Sequence, residues 1–352
     1  MRPNQAPRNL EDSKVKLRFL TATAIALLAT GAWAQNLNGA GASFPNPIYS
    51  RWFSEYAQQH PNVHINYQSV GSGAGIQQVT QKTVDFGASD GPMSDAQLDA
   101  AKKNGVVLLH IPTVLGAVVP VYNLPGVTQE LHLAPEVIAG IYLGKITNWN
   151  DANIKHDNPG VNLPDHKILP VYRSDGSGTN YIWTDFLSKV VPEFQQEVGK
   201  GTSVKWPLGI GQKGNEGVAG MVRSSPYSFG YVELIYALTN HMSFGLVRNA
   251  SGKYVKASVA GVTEAAAGVA KNMPADYRVS ITNAPGADAY PISSFTWLLI
   301  PEHWSDPAKG KAMVDFLNWM LDHGESETEA LFYAPLPKAV ADKVRVTIGQ
   351  IR

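Results

Sequence analysis

The stretch Ile168-Leu-Pro-Val-Tyr-Arg-Ser-Asp-Gly-Ser-Gly-Thr-Asn-Tyr-Ile-Trp-Thr-Asp-Phe-Leu-Ser-Lys-Val190 decides how this chain is read. Its first residues, Ile168 to Tyr172, are apolar and β-branched and predict a strand. A turn of small and polar residues follows, from Arg173 to Thr179. Tyr181, Phe186, Leu187 and Val190 then recur near helical spacing. Such a strand, turn and helix start leave unpaired N–H groups and the positive end of a helix dipole at the turn, an arrangement that receives anions. The turn adds hydroxyls at Ser177 and Thr179 and a guanidinium at Arg173, which Asp175 is placed to hold in one orientation. Taken alone, the same residues also read as an ordinary strand-to-helix turn with a local Arg–Asp pair.

The device recurs toward the N-terminus. Small residues from Gly39 to Ser43 lead through Pro45 and Pro47 into a helical pattern of Ile48, Trp52, Phe53 and Tyr56; a helix start tolerates those prolines. Val63 to Val70 alternates like a strand and ends in Gly71-Ser-Gly-Ala-Gly75, with a helix expected from Ile76 to about Lys82. Val84 to Asp90 is a short apolar strand ending in polar groups, and Ser94 to Lys103 reads as a helix. Three hydroxyl-bearing turns, at Ser43, Ser72 and Ser177, each precede a helix, which points to convergence on one anion.

Beyond them, Val106 to Val121 is a long apolar strand region broken by Pro112, Gly116 and Pro120, suited to a crossing between two lobes. Helices are expected at Pro135–Tyr142, from Gly214-Asn-Glu-Gly217 to about Arg223, at Ala257–Asn272 and at Ala308–Leu321. Strands are expected at Phe229–Val232 and Pro291–Ile300. The alternation predicts α/β architecture with open sheets, whose ligands sit at the carboxyl ends of strands.

With 352 residues the chain has room for about two domains. Residues 1–34 read as a signal peptide: Lys14, Lys16 and Arg18 precede an apolar run from Phe19 to Leu28, and Ala32-Trp-Ala34 is a small-x-small cleavage site. Its removal takes five Lys/Arg and two Asp/Glu, which leaves a net charge of about −3. A near-neutral chain argues against nucleic acid or a membrane surface as partner, and any anion site must work through local donors. The absence of cysteine excludes disulfides, thiolate metal sites, a cysteine nucleophile and a lipidated N-terminal cysteine. Export without that anchor fits a Gram-negative periplasm, with no membrane insertion after signal removal.

Competing motifs are weak. Gly209-Ile-Gly-Gln-Lys-Gly214 has the G-x-G-x-x-G spacing, with Glu233 at about the distance of a ribose contact, but Trp206-Pro207 stands where a clean strand belongs. No P-loop string occurs. The nine histidines include no H-E-x-x-H pair, so no metal site and no cofactor is expected. A hydrolase of phosphate esters would want a nucleophile with a base, or a metal cluster, and Ser177 and Thr179 have no histidine partner in sequence.

In order and spacing, the strings Gly39-Ala-Gly-Ala-Ser-Phe-Pro45, Val70-Gly-Ser-Gly-Ala-Gly75, Val84-Asp-Phe-Gly-Ala-Ser-Asp90 and Arg173-Ser-Asp-Gly-Ser-Gly-Thr179 resemble the periplasmic phosphate-binding proteins of phosphate-specific (Pst-type) ABC transporters. Further family-like strings run through Ile141–Ile146, Lys205-Trp-Pro207, Gly211–Asn215, Gly230–Glu233 and Tyr333–Pro337, so the resemblance covers essentially the whole chain after residue 34.

The resemblance implies a type II periplasmic-binding-protein fold. Lobe I would take 36–114 plus 290–352 and lobe II 115–289, with a hinge between them. The chain would be a monomeric solute-binding protein, not an enzyme, that captures inorganic phosphate and hands it to a membrane permease. Ser43 and the N–H of Phe44 would bind phosphate oxygens, with serine where the family often has threonine. Ser72, Ser177, Gly178 and Thr179 would donate, and Arg173, oriented by Asp175, would give the charge-assisted contact. Asp90 would accept the phosphate's own proton. Sulfate has no such proton, so its oxygen would meet a second acceptor there.

Overall fold

A computed structural model describes residues 35–352. The signal peptide expected over residues 1–34 lies outside the described residues. In the first part of the chain, strands β1 (Gln35–Gly41), β2 (Val63–Ser69) and β3 (Phe86–Ser89) alternate with helices α1 (Asn46–Gln59), α2 (Ser72–Thr80) and α3 (Asp95–Lys103). The long β4 (Leu108–Tyr122) follows, then β5 (His132–Leu133), α4 (Pro135–Tyr142) and α5 (Ala152–Asp157). Next come β6 (Leu169–Arg173), α6 (Gly178–Val190), α7 (Pro192–Glu197), β7 (Ile210–Gln212), α8 (Gly214–Ser224), β8 (Ser228–Glu233) and α9 (Leu234–Thr239). Short strands β9 (Ser243–Phe244), β10 (Leu246–Arg248) and β11 (Tyr254–Val255) lead to α10 (Val259–Ala270), β12 (Ser293–Pro301), α11 (Pro307–Asp322) and α12 (Lys338–Ile348).

The main sheet has the order β2-β1-β3-β12-β4-β8-β6-β7, with β9 beside β4. β1 is parallel to β2 and β3, and β6 is parallel to β7 and β8, while β12 and β4 run antiparallel to their neighbours. β4 changes partner along its length: Leu108–Ala117 pairs with β12 and Val118–Tyr122 with β8. β12 and β4 lie in the middle of this mixed sheet and are buried on both faces, which accounts for their unbroken apolar runs. Aromatic side chains fill the core on each side of that switch. Phe53 packs on Phe86 and Phe316, and Trp183 stacks on Tyr231 at 4.8 Å.

Several features differ from the sequence expectation. β1 was not anticipated, because Gln35-Asn-Leu-Asn-Gly-Ala-Gly41 is poor in β-formers. It is nevertheless a strand with a parallel partner on each side, so tertiary pairing overrides propensity. α2 begins at Ser72, not Ile76. The small residues are helical because α2 lies against the sheet backbone: a Cβ on Gly75 would stand 2.5 Å from Gly41 Cα. α12 was also not anticipated; Val340, Val344 and Ile348, spaced four apart, form its buried face.

Candidate functional site

All the parallel strands of the main sheet end at one place. β1 ends at Gly41 and delivers Ser43 and Phe44; β2 leads through Gly71 to Ser72; β3 delivers Asp90. From the other half, β6 ends at Arg173 ahead of the Asp175–Thr179 turn, β7 leads into Asn215 on α8, and β8 ends at Glu233. The carboxyl-end rule for open sheets thus holds in both halves.

The structure brings the sequence-predicted residues together and buries them. Ser43, Phe44, Ser72, Asp90, Arg173, Ser177 and Thr179 are all at most 3% exposed. Gly178 lies directly against the first half: a Cβ there would lie 2.4 Å from Asp90 Oδ2 and 2.5 Å from Ser72 Oγ. The backbone closes the same gap where Gly73 N donates to Gly176 O at 2.8 Å. We expect Gly178→Ala to weaken anion binding about 10- to 100-fold by pushing Asp90 and Ser72 out of place. Titration of the variant with inorganic phosphate checks this; wild-type affinity would mean that the site tolerates the methyl group.

Each hydroxyl in the set is occupied on its acceptor side. Ser177 Oγ, the N-cap of α6, accepts from Asn180 N at 3.0 Å, and Ser72 Oγ accepts from Asp90 N at 3.2 Å. Ser43 Oγ accepts from Asn215 N at 3.2 Å and from Asn215 Nδ2 at 3.0 Å, and Thr179 Oγ1 accepts from Asn215 Nδ2 at 3.1 Å. A hydroxyl that accepts from an N–H keeps its own proton to donate. The four side chains therefore act as O–H donors.

Arg173 is locked by Asp175 in a two-pronged pair, Nε to Oδ1 at 2.7 Å and Nη2 to Oδ2 at 2.5 Å. Gly214 N donates to the same carboxylate at 3.3 Å. Burial works to raise the Asp175 carboxyl, but the Arg173 hydrogen bonds and charge outweigh it and hold the group below the usual range. Arg173 Nη1 is buried with no hydrogen-bond partner among the described residues. The pair is formally neutral, so the site has donors in excess and little net charge.

Asp90 supplies the opposite polarity. Its Oδ1 accepts from Thr296 Oγ1 at 2.8 Å, while Oδ2 is buried with no partner among the described residues. Burial pushes the carboxyl up to about 7, against the lowering influence of Thr296, Arg173 and Ser72. Thr296 sits beside an irregularity in the β12–β4 register, where Thr296 faces Val114 and Trp297 faces Pro112. The extra residue on β4, Thr113, is the mark of a bulge, a device that re-aims side chains.

Sequence reasoning missed Asn215, Thr296 and Glu233. Thr296 was read only as part of an apolar strand. Asn215 had a usable signal, since Gly211-Gln-Lys-Gly-Asn215 is a fourth small-residue turn leading into a helix. The G-x-G-x-x-G string is this same turn, and it forms β7 and the start of α8. A further missed match is Gly87-Ala-Ser-Asp-Gly91, which has the G-x-S-x-G spacing of a nucleophile elbow. Ser89 is fully buried, however, and its hydroxyl donates to Gly91 O at 2.5 Å. His60 and His64 stand four apart but belong to different elements, His60 stacking on Tyr56 at the end of α1 and His64 lying in β2. Among the described residues no group of three or more His, Asp or Glu is placed to hold a metal ion, and no helix is long and apolar enough to cross a membrane. A cavity of about 470 Å³ against α4, α5 and α7 touches none of the gathered residues; its charged lining is engaged in the Arg248–Glu136, Lys145–Glu193 and His156–Asp157 pairs.

Fold and site together define a member of the periplasmic-binding-protein class: the family model described as PBP superfamily domain matches residues 28–323. Within that class the chain belongs to the PstS family of phosphate-binding proteins. It is 44% identical over 331 residues to phosphate-binding protein PstS of Pasteurella multocida, a match that covers 94% of each chain. It is likewise 44% identical over 309 residues to phosphate-binding protein PstS of Xylella fastidiosa, covering 88% of this chain and 83% of that one. Its fold matches the crystal structure of a phosphate binding protein from Stenotrophomonas maltophilia at a TM-score of 0.71 and 22% identity, over 89% of this chain and 94% of that one.

Proposed function

We propose that the chain is an exported solute-binding protein that captures inorganic phosphate and delivers it to the permease of an ABC importer. One observation carries the choice of ligand: among O–H donors, N–H donors and a guanidinium stands a buried carboxylate oxygen, Asp90 Oδ2, with no hydrogen-bond partner among the described residues and with the Gly178 backbone against it. An anion that fits must accept nearly everywhere and donate once. Phosphate near neutral pH keeps a proton and does both.

In this reading Ser43 and the Phe44 N–H hold the ligand from lobe I with Ser72 and Asp90. Arg173, Ser177, Gly178 and Thr179 hold it from lobe II. Lobe I comprises 36–114 plus 290–352, lobe II comprises 115–289, and β4, which exchanges β12 for β8 between Ala117 and Val118, spans the boundary. The backbone contact of Gly73 with Gly176 and the hydrogen bond of Asn215 to Ser43 are interactions that lobe closure would make. Closure leaves the ligand desolvated, where short donors are strongest. Removal of residues 1–34 releases the protein into the periplasm as a monomer. No catalytic role is assigned to it, in keeping with relatives named as phosphate-binding proteins.

Calorimetric titration of the chain from residue 35, stripped of endogenous ligand, tests the reading. Tight one-to-one heat with phosphate and none with sulfate near pH 8 is expected. Equal binding of both would leave an oxyanion binder without the role given to Asp90. Binding of neither would favour the hydrolase of phosphate esters instead.

A further inference from the structure

We propose that Asn215 is a positioning residue that fixes the direction of two ligand-facing hydroxyls, one on each side of the cleft, and so makes donors of both. The inference rests on the phosphate reading and concerns how the same site is organised.

Asn215 is fully buried at the start of α8. The orientation of its amide is set by a group that can only donate: Glu233 N gives its hydrogen to Asn215 Oδ1 at 2.9 Å. The NH2 end must then face the other way, where it meets Ser43 Oγ at 3.0 Å and Thr179 Oγ1 at 3.1 Å. Asn215 N adds a second bond to Ser43 Oγ at 3.2 Å, so both lone pairs of that oxygen are engaged. A hydroxyl with both acceptor sites filled by N–H groups, as at Ser43, can only donate, and Thr179 Oγ1, with one site filled, has its proton turned away from the amide. Glu233 is well placed to hold the other end. Its own Oε2 accepts from Ile235 N at 2.9 Å at the start of α9, which fixes the backbone that feeds Asn215. The chain of polarity therefore runs from Glu233 N–H through one side-chain amide to the hydroxyls of Ser43 and Thr179. An anion benefits from every O–H proton turned toward it, and here no reorganisation is needed when it arrives. The same amide ties the turn after β1 to the start of α6, so hydroxyl direction and closure share one side chain.

Phosphate titration of a double-mutant cycle tests the assignment. Asn215→Ala is expected to lower phosphate affinity about 10- to 100-fold in the wild-type chain, the scale of lost hydrogen bonds to a charged group. In the backgrounds Ser43→Ala and Thr179→Val the effect should shrink, because a hydroxyl already absent has no direction to lose. Asn215→Asp keeps shape and fold but offers only acceptors when ionised, so it should draw both protons to itself and bind phosphate more weakly than Asn215→Ala. Losses that simply add in both backgrounds, or an aspartate variant that binds better than the alanine one, would overturn the assignment while the functional reading stands. A wild-type chain that binds no phosphate would overturn both.

Discussion

Replacing Arg173 with methionine is expected to lower phosphate affinity on the order of 10³-fold or more, equivalent to about 4 kcal/mol. Among the residues gathered at the site, Arg173 is the one formal cation, and Nη1 is buried with no protein partner. Methionine matches the stem and removes the charge, so a dianion would enter a cage of neutral dipoles beside two carboxyl groups. Arg173→Lys should fall between, since it keeps the charge but loses the planar fork that Asp175 grips with two bonds. Stability should drop as well. Methionine leaves Asp175 with only Gly214 N, and a buried carboxylate deprived of its ion-pair partner costs about 3 kcal/mol. The pH dependence gives a separate check. Asp175 has a folded-state carboxyl held below its ordinary 3.8, so its contribution is present above that value and is lost as pH falls through the depressed one. Acid unfolding of Arg173→Met should therefore lack this increment below pH 4. A variant with wild-type phosphate affinity would dispose of the charge-assisted role.

How far these roles were legible in the sequence depended on whether the partner was local. Arg173, Asp175, Ser177 and Thr179 lie within seven residues, and their turn chemistry is visible in one string. The hydroxyl-bearing turns at Ser43 and Ser72 are marked by small residues before a helix, so their convergence is arguable from the sequence alone. Thr296 could not be found this way. It meets Asp90 from 206 positions away, and it owes its aim to a register irregularity opposite Pro112 and Val114. β1 was hidden for the opposite reason. Its composition speaks for a loop, and only the two parallel neighbours make it a strand. Helix α2 shows the same effect at its start, where close packing on Gly41 turned punctuation into helix. Periodicity identifies elements that bury a face; it does not report a polar contact made across the sheet.

Asp90→Asn tests the element of the site that looks wrong for an anion. The wild-type carboxylate is expected to exclude sulfate above pH 7 and to admit it progressively below. Burial raises its pKa to about 7, so at lower pH the neutral acid can donate to an oxygen that has no proton of its own. Asparagine can donate through its NH2 at every pH. Its sulfate-to-phosphate affinity ratio at pH 8 should rise about 10²-fold or more, the scale on which a buried acceptor facing an acceptor is rejected. Between pH 6 and 8 the sulfate affinity of the variant should be flat where that of the wild type falls. Thermal unfolding of the ligand-free chain supplies the sign from the other side. A carboxyl whose folded pKa is raised contributes stability that is full below its ordinary 3.8 and is lost as pH rises through about 7. Asp90→Asn should remove that decline and be the more stable of the two at pH 8. Thr296 remains able to donate to the amide oxygen at the Oδ1 position, so the side chain keeps its orientation and the comparison isolates charge and proton. An unchanged sulfate-to-phosphate ratio would show that selectivity arises elsewhere in the cage.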